Sequence, residues 1–93
     1  MSDSPIMHFI AGSVLADYCH TIARRINGRD CILNESALDN WVKDKKRWSL
    51  MSPYVNNHRA MHLFGVLYLK YAGLVSEGDF EQYVTDMIVN PED

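Results

Sequence analysis

The chain has 93 residues, of which 47% are hydrophobic and 23% are charged, and its formal net charge is −3. This length and composition are typical of one globular domain, and the chain contains no low-complexity segment and no internal repeat. We therefore expect a single helical domain over residues 1–93, with loose ends at 1–3 and 90–93.

The cysteine count and the hydropathy pattern indicate where the protein acts. Cys19 and Cys31 are too few and too far apart for a disulfide framework, so we expect reduced thiols. The N-terminus shows no basic segment followed by an apolar one, so no signal peptide is visible. The most apolar run, 61–75, is too short to span a membrane and is interrupted by Lys70. We expect a cytoplasmic protein without membrane contact.

The charges are unevenly distributed along the chain. Residues 24–59 contain eight basic and four acidic side chains, whereas residues 60–93 contain one basic and six acidic ones. One interpretation is a dipolar molecule whose positive face binds an acidic partner. The other is that the two segments fold against each other and neutralise their charges.

The first predicted helix covers 5–27. Ser4 and Pro5 form a cap followed by proline, and apolar residues then recur every three or four positions. Gly28 ends the helix, although Asn-Gly is also typical of a hairpin turn. Gly12, inside the helix, costs about 1 kcal/mol relative to alanine, which suggests close helix packing there.

The second predicted helix covers 35–48 and is the one most exposed to solvent. Asn34 is its N-cap, and Leu33 and Leu38 have the spacing of a hydrophobic staple. Its apolar stripe is narrow, and most of its other side chains are charged.

The third predicted helix covers 53–72 and is the centre of the fold. Ser52 and Pro53 start it, and Gly73 ends it. More than half of its circumference is apolar, which is typical of a helix buried against several neighbours.

The fourth predicted helix covers 77–89, and it starts at a capping box formed by Ser76 and Asp79. With short loops and no sustained two-residue alternation, the four helices predict an all-α, compact bundle around the central apolar helix. The fourth helix carries acidic residues and no basic one. It therefore does not suit the recognition helix of a helix-turn-helix, because it would repel phosphates.

Two pairs of residues raise the question of metal binding or catalysis. His58 and His62 have the spacing at which a helix presents two zinc ligands, but the HExxH glutamate is missing. Cys19 and His20 are adjacent, so their side chains diverge by about 100° on a helix and do not form a nucleophile–base pair. Further ligands for the histidine pair would have to come from Cys19, Cys31, His8 or His20. We predict no catalytic residue, no cofactor and no metal site.

The segment from Trp41 to Trp48, WVKDKKRW, combines aromatic and basic residues. Such a helix can stack on the bases of single-stranded nucleic acid while its cations meet phosphates. It can also form a protein interface, where tryptophan and arginine are enriched. The third interpretation is that both rings pack in the core and only the lysines meet solvent. For Trp41 the sequence favours core packing, whereas for Trp48 it does not decide between the core and an interface.

No motif identifies a family, although the size and composition resemble those of small phage, plasmid and bacterial accessory proteins. We predict a non-enzymatic protein–protein interaction module that regulates, inhibits or bridges a larger partner by binding its acidic surface. The first alternative is a nucleic-acid-binding protein that uses the helix Trp41–Trp48. The second is a metal-binding protein or a Cys–His enzyme. Homodimerisation is also expected, because a small domain gains stability by covering apolar surface. The predicted contact residues are Trp48, Lys45, Lys46, Arg47, Arg24, Arg25, Tyr54 and Asn57, with Asn56 as a weaker candidate.

Overall fold

The computed structural model describes residues 5–90, with side chains described from residue 11 onward. The helices are α1 (Pro5–Asn27), α2 (Glu35–Lys43), α3 (Lys45–Met51), α4 (His58–Tyr71) and α5 (Glu77–Val89), and Ser52–Tyr54 forms one 3₁₀ turn. None of the described residues lies in a β-strand. The predicted all-α class is therefore confirmed.

Parts of the predicted chain ends and of the first helix start lie outside the described residues. These are the loose ends at 1–3 and 91–93 and the N-cap at Ser4. Asn90, also predicted to be loose, is the C-cap of α5, and its N–H donates to the carbonyl oxygen of Asp86 at 2.8 Å.

The prediction of one helix over 35–48 is wrong, because the chain breaks at Asp44. Asp44 leaves the helical region with ψ of 130°, and its side chain becomes the N-cap of α3. The Asp44 carboxylate accepts from the backbone N–H of Arg47 at 3.1 Å. This local bond stabilises a new helix start, and α3 then continues to Met51, beyond the predicted end.

The prediction that the central helix starts at Pro53 is also wrong. Pro53 belongs to the 3₁₀ turn, and α4 starts at His58. Asn57 is the N-cap, and its side-chain oxygen accepts from the N–H of Ala60 at 2.9 Å. The asparagine side chain satisfies a helix donor that would otherwise lack a partner, which fixes the start five residues later than predicted.

The two helix ends predicted at glycines are confirmed. Gly28 and Gly73 both have positive φ angles, of 75° and 77°. After α4, Leu74 N–H donates to the carbonyl oxygen of Leu69 at 2.8 Å, and Gly73 N–H donates to that of Lys70 at 3.0 Å. This pair of bonds is a Schellman motif, which needs a residue in the left-handed region and therefore favours glycine.

As predicted, α4 is the centre of the fold and packs against both α1 and α5. A Cβ atom at Gly65 would lie 2.9 Å from Ile22 Cδ1, well inside the 3.5–4.0 Å of ordinary carbon contacts. The absence of a side chain at Gly65 therefore allows α1 and α4 to cross closely. Gly12 does the same between α1 and α2, since a Cβ there would lie 2.5 Å from Asp39 Oδ1.

The last helix, α5, is a peripheral element. It contains no fully buried residue, and it contacts the core through the half-buried side chains of Phe80, Tyr83 and Val84. The predicted N-cap is confirmed, since Ser76 Oγ accepts from Asp79 N–H at 3.0 Å. Capping and packing on α4 hold this helix in place.

Candidate functional site

Three exposed lysines surround the corner between α2 and α3. We call Lys43, Lys45 and Lys46 the basic elbow. Across residues 11–90, the recorded ion pairs join Asp30 to His20 and to Arg24, and neither involves a lysine. The elbow therefore presents three positive charges without a carboxylate partner in the described part of the chain.

The side chains of Asp44 and Arg47 fix the corner between α2 and α3 beneath the basic elbow. Asp44 directs its carboxylate to the first turn of α3, as described above. The half-buried Arg47 donates from Nε to the carbonyl oxygen of Trp41 at 2.8 Å, and its guanidinium lies 4.7 Å from the centre of the Trp41 ring. Arg47 thus joins α3 to α2 and is only partly available for a partner.

Both tryptophan rings of the aromatic–basic segment lie in the core. Trp48 is 3% exposed and Trp41 is 4% exposed. The Trp41 ring packs edge-on against Tyr68, with ring centres 5.2 Å apart. Trp48 was predicted to contact a partner through an exposed ring. Its burial does not fit that contact, because the chain breaks at Asp44 and α3 packs against the core through Trp48 and Met51. Stacking of nucleic-acid bases on either ring does not fit this arrangement.

Arg24 and Arg25 are exposed but lie far from the basic elbow. They occupy the last turn of α1, whereas α2 meets α1 at Gly12 through Asp39. Gly12 and Arg24 are separated by about 18 Å along the helix axis at 1.5 Å per residue. Arg24 and Arg25 therefore do not lie at the contact between α1 and α2 that Gly12 and Asp39 form.

The remaining predicted contact residues follow α3. Tyr54 is 49% exposed and belongs to the 3₁₀ turn directly after that helix. Asn56 and Asn57 are also exposed, although the Asn57 side chain is engaged in capping α4. Tyr54 is the one of these three with substantial exposed aromatic surface.

The basic and acidic segments do not neutralise each other through ion pairs among the described residues. The acidic side chains of α5 form none, and Arg25 meets α5 through the hydroxyl of Tyr83, to which it donates at 3.1 Å. This favours the dipolar interpretation of the sequence.

His58 and His62 face each other rather than a shared ligand position. Their Nε2 atoms are 3.1 Å apart, so one ring donates an N–H to the other. Tyr18 lies 2.8 Å from His58 Nδ1, and the hydroxyl of Tyr83 lies 3.1 Å from His62 Nδ1. No third histidine, cysteine or carboxylate donor joins this pair within ligand range among the described side chains. The pair therefore functions as a hydrogen-bonded link between α1, α4 and α5.

A second cluster, which the sequence did not predict, brings together His20, Asp30 and Cys31. His20 Nδ1 lies 2.5 Å from Asp30 Oδ1 and 3.9 Å from Cys31 Sγ. The hydrogen bond from His20 lowers the pKa of the Asp30 carboxyl below its ordinary value. Gly28 reverses the chain after α1, which places residues 30 and 31 against His20. The available signal was a helix end at Gly28, about two turns after His20, with Asp30 and Cys31 following after one intervening residue.

The two cysteines differ in burial, and both have a raised pKa. Cys19 is completely buried, and burial, followed by the charge of Cys31, raises its pKa to about 12. Its thiol lies 3.6 Å from the carbonyl oxygen of Gly65 rather than beside a histidine. Burial and the charge of Asp30 also raise the pKa of Cys31. Both residues are free cysteines.

Comparisons of the chain with protein-family models, with curated proteins and with solved structures found no match. In the described part of the chain, no helix combines the length and the hydropathy that a membrane span requires. The geometry of the described side chains is therefore the basis for assigning a function.

Proposed function

We propose that this chain is a small non-enzymatic protein–protein interaction module. In this proposal it binds the acidic surface of a larger protein through the basic elbow and acts as a regulator, inhibitor or adaptor. The observation that supports it most is the set of three exposed lysines, unpaired with any carboxylate of residues 11–90, on a corner held by Asp44 and Arg47. Surface lysines without partners at one corner favour contact with carboxylates of another molecule.

The corner is suited to binding because it is rigid. Trp48 and Met51 anchor α3 in the core, so the backbone beneath the lysines does not have to be ordered when a partner binds. Exposed ion pairs each contribute only about 0.2–1 kcal/mol, so the lysines serve mainly orientation and rate of association. Leu50 and Tyr54, 64% and 49% exposed, supply apolar contact area directly after the elbow.

Nucleic-acid binding is the weaker proposal on the same surface. Lysines alone can contact phosphates, but single-strand binding also uses exposed aromatic rings for stacking. Trp41 and Trp48 are both buried, which removes the two predicted stacking rings and leaves Tyr54, 49% exposed, as the aromatic side chain directly after the elbow. An acidic protein surface therefore fits the exposed side chains better than a nucleic acid does.

A capture experiment with matched charge variants tests the proposal. The baits are the unchanged protein, the variant Lys45→Glu/Lys46→Glu, and the control Arg29→Glu/Arg59→Glu. All four positions are exposed, and both variants lower the net charge equally. Each bait is incubated with native-host extract, with and without nuclease, and captured proteins are quantified by mass spectrometry.

We expect one nuclease-resistant protein at near-equal stoichiometry, reduced at least tenfold by the elbow variant and retained by the control. Melting temperatures should stay within a few degrees, because exposed substitutions change stability by no more than about 0.5 kcal/mol. Equal capture by both variants would show that the elbow is not the interface. Capture that disappears with nuclease would instead support the nucleic-acid proposal.

Self-association and a cytoplasmic location are further parts of this proposal. Leu63, Leu67 and Tyr71 recur every four residues on the outer face of α4 and are 38%, 39% and 69% exposed. Covering this face in a homodimer would remove apolar surface from water. A mass in light scattering that stays monomeric at every concentration would contradict the dimer. The two free thiols, Cys19 and Cys31, are consistent with a reducing compartment.

A further inference from the structure

The cluster of His20, Asp30 and Cys31 has the chemistry of a metal site. Its imidazole nitrogen, carboxylate oxygen and thiol sulfur all lie within 4.8 Å of one another. The side chains of His20 and Asp30 are 29% and 51% exposed, so an ion from solvent can reach them. A nitrogen, an oxygen and a sulfur around one point form the mixed donor set that zinc accepts, whereas magnesium and calcium prefer oxygen alone.

The arrangement is built by the fold rather than by chance proximity of flexible side chains. Gly28 N–H donates to the carbonyl oxygen of Arg24 at 2.9 Å, and this closes α1 and turns the chain back. Cys31 N–H then donates to Asp30 Oδ1 at 2.9 Å. Arg24 Nη1 donates to Asp30 Oδ2 at 3.2 Å, which leaves Oδ1 directed at His20. Such a second hydrogen bond orients a carboxylate ligand in many metal sites.

We propose that His20 Nδ1, Asp30 Oδ1 and Cys31 Sγ bind one divalent transition-metal ion of the zinc type. This inference is independent of the basic elbow and goes beyond the proposed function. The metal would lie at a cluster that the sequence did not predict, and the ligands come from the end of α1 and the loop that follows it.

Two of the three donor separations fit this ion after small side-chain movements, and the third, from the Asp30 carboxylate to Cys31 Sγ, lies within 4.8 Å. Zinc binds nitrogen and oxygen at about 2.0–2.2 Å and sulfur at about 2.3 Å, so tetrahedral donors are separated by roughly 3.3–3.6 Å. The 2.5 Å between His20 Nδ1 and Asp30 Oδ1 must therefore increase by about 0.8 Å, and the 3.9 Å to Cys31 Sγ must shorten by about 0.3 Å. Side-chain rotations of the half-exposed Asp30 can supply the first movement.

The same geometry does not fit a Cys–His–Asp nucleophile. A general base must accept from the nucleophile with one ring nitrogen while the carboxylate binds the other. Here Asp30 Oδ1 and Cys31 Sγ both contact the same ring nitrogen, His20 Nδ1. Convergence of three donors on one point is what a metal ion requires.

The surroundings carry charges of both signs and leave room for solvent, since the Arg24 guanidinium lies 3.2 Å from the Asp30 carboxylate. His20 borders an open cleft of about 160 Å³ between α1 and α2, whose other lining includes the carboxylates of Asp17, Glu35 and Asp39. Three protein ligands leave a fourth position of a tetrahedral ion for water, as in zinc sites with an open coordination position.

The test uses metal-free protein titrated with Co²⁺ and, separately, with Zn²⁺. Cobalt reports a thiolate ligand through a charge-transfer band in the near ultraviolet, and calorimetry gives the stoichiometry and affinity for zinc. A thiol reagent supplies an independent readout, because Cys31 is half-buried and Cys19 is completely buried. The variants are Cys31→Ser, His20→Asn and Asp30→Asn, with His58→Asn as the matched histidine control.

We expect one equivalent of metal, the thiolate band, and protection of one reactive thiol by zinc. Each cluster variant should weaken binding at least tenfold, and Cys31→Ser should also abolish the band, while His58→Asn leaves both unchanged. Unaltered circular dichroism of Cys31→Ser shows that the loss is not unfolding. Absence of stoichiometric binding at 0.1 mM metal, or binding lost in His58→Asn and kept in the cluster variants, would overturn the proposal.

Discussion

Replacing Trp48 by alanine should destabilise the fold strongly, because the ring is a core group. An indole side chain buries about 150–250 Å², and Trp48 is only 3% exposed. At about 25 cal/mol per Å² this burial corresponds to roughly 5 kcal/mol as an upper estimate. Large aromatic-to-alanine changes in cores cost about 3–5 kcal/mol. We expect a loss in that range.

The expected loss is a large part of the total stability. A domain of this length has a free energy of unfolding of about 5–14 kcal/mol. Each kcal/mol shifts the melting temperature of such a domain by roughly 4–8 °C, so Trp48→Ala should lower it by at least about 12 °C. The variant should be partly unfolded at 37 °C if the unchanged protein lies near the lower limit.

Urea unfolding followed by circular dichroism at 222 nm measures the effect. The control is Leu50→Ala on the same helix, where the side chain is 64% exposed and the change should stay within about 0.5 kcal/mol. The slope of the free energy against urea should be equal in both variants if both unfold in two states. A loss of unfolding free energy below 1 kcal/mol for Trp48→Ala would refute the core position of the ring and favour the predicted interface role of Trp48.

Two further predictions concern the hydrogen-bonded links around α1. Tyr83→Phe removes the hydroxyl that accepts from Arg25 and contacts His62 Nδ1, so the free energy of unfolding should fall by about 1–2 kcal/mol. If urea unfolding shows no such loss, this link does not stabilise α5. Asp30 has a pKa lowered from 3.8 by the His20 hydrogen bond, so its contribution to stability is present above pH 3.8 and is lost as pH falls below it. Asp30→Asn, measured with a chelator present, should flatten the pH dependence of the melting temperature in that acid range. Asp86→Asn is the control. If the melting temperature of Asp30→Asn depends on pH as steeply as that of the unchanged protein, the assigned hydrogen bond is contradicted.

The contact surface was predictable only in part. The exposure of Lys45 and Lys46 follows from a narrow apolar stripe on a charged segment, and both are exposed in the structure. The position of Trp48 did not follow, because two tryptophans seven residues apart fit an interface and a core groove equally well. The break at Asp44 decided between them, and it depends on a competition between capping α3 and continuing α2. Sequence periodicity does not report that competition.

The cluster at the end of α1 shows the same limit for long-range contacts. The sequence shows a helix end at Gly28 and marks His20 and Cys31 as possible metal ligands. It does not show that the reversed chain returns along the face of α1 that carries His20. The direction of the loop depends on the left-handed conformation of Gly28 together with the hydrogen bonds of Asp30 to Arg24 and to Cys31.

The sequence by itself determined the all-α class, the central position of the apolar helix, the ends of two helices at Gly28 and Gly73, and the start of the last helix at Ser76. These features arise from local chemistry, namely apolar periodicity, side-chain caps and the conformational freedom of glycine. The tertiary structure alone decided that Trp48 is buried and that His58 and His62 bond to each other. It also decided that His20 meets Asp30 and Cys31. Each of these depends on which faces of different segments meet, and that is set by packing of the whole chain rather than by neighbouring residues.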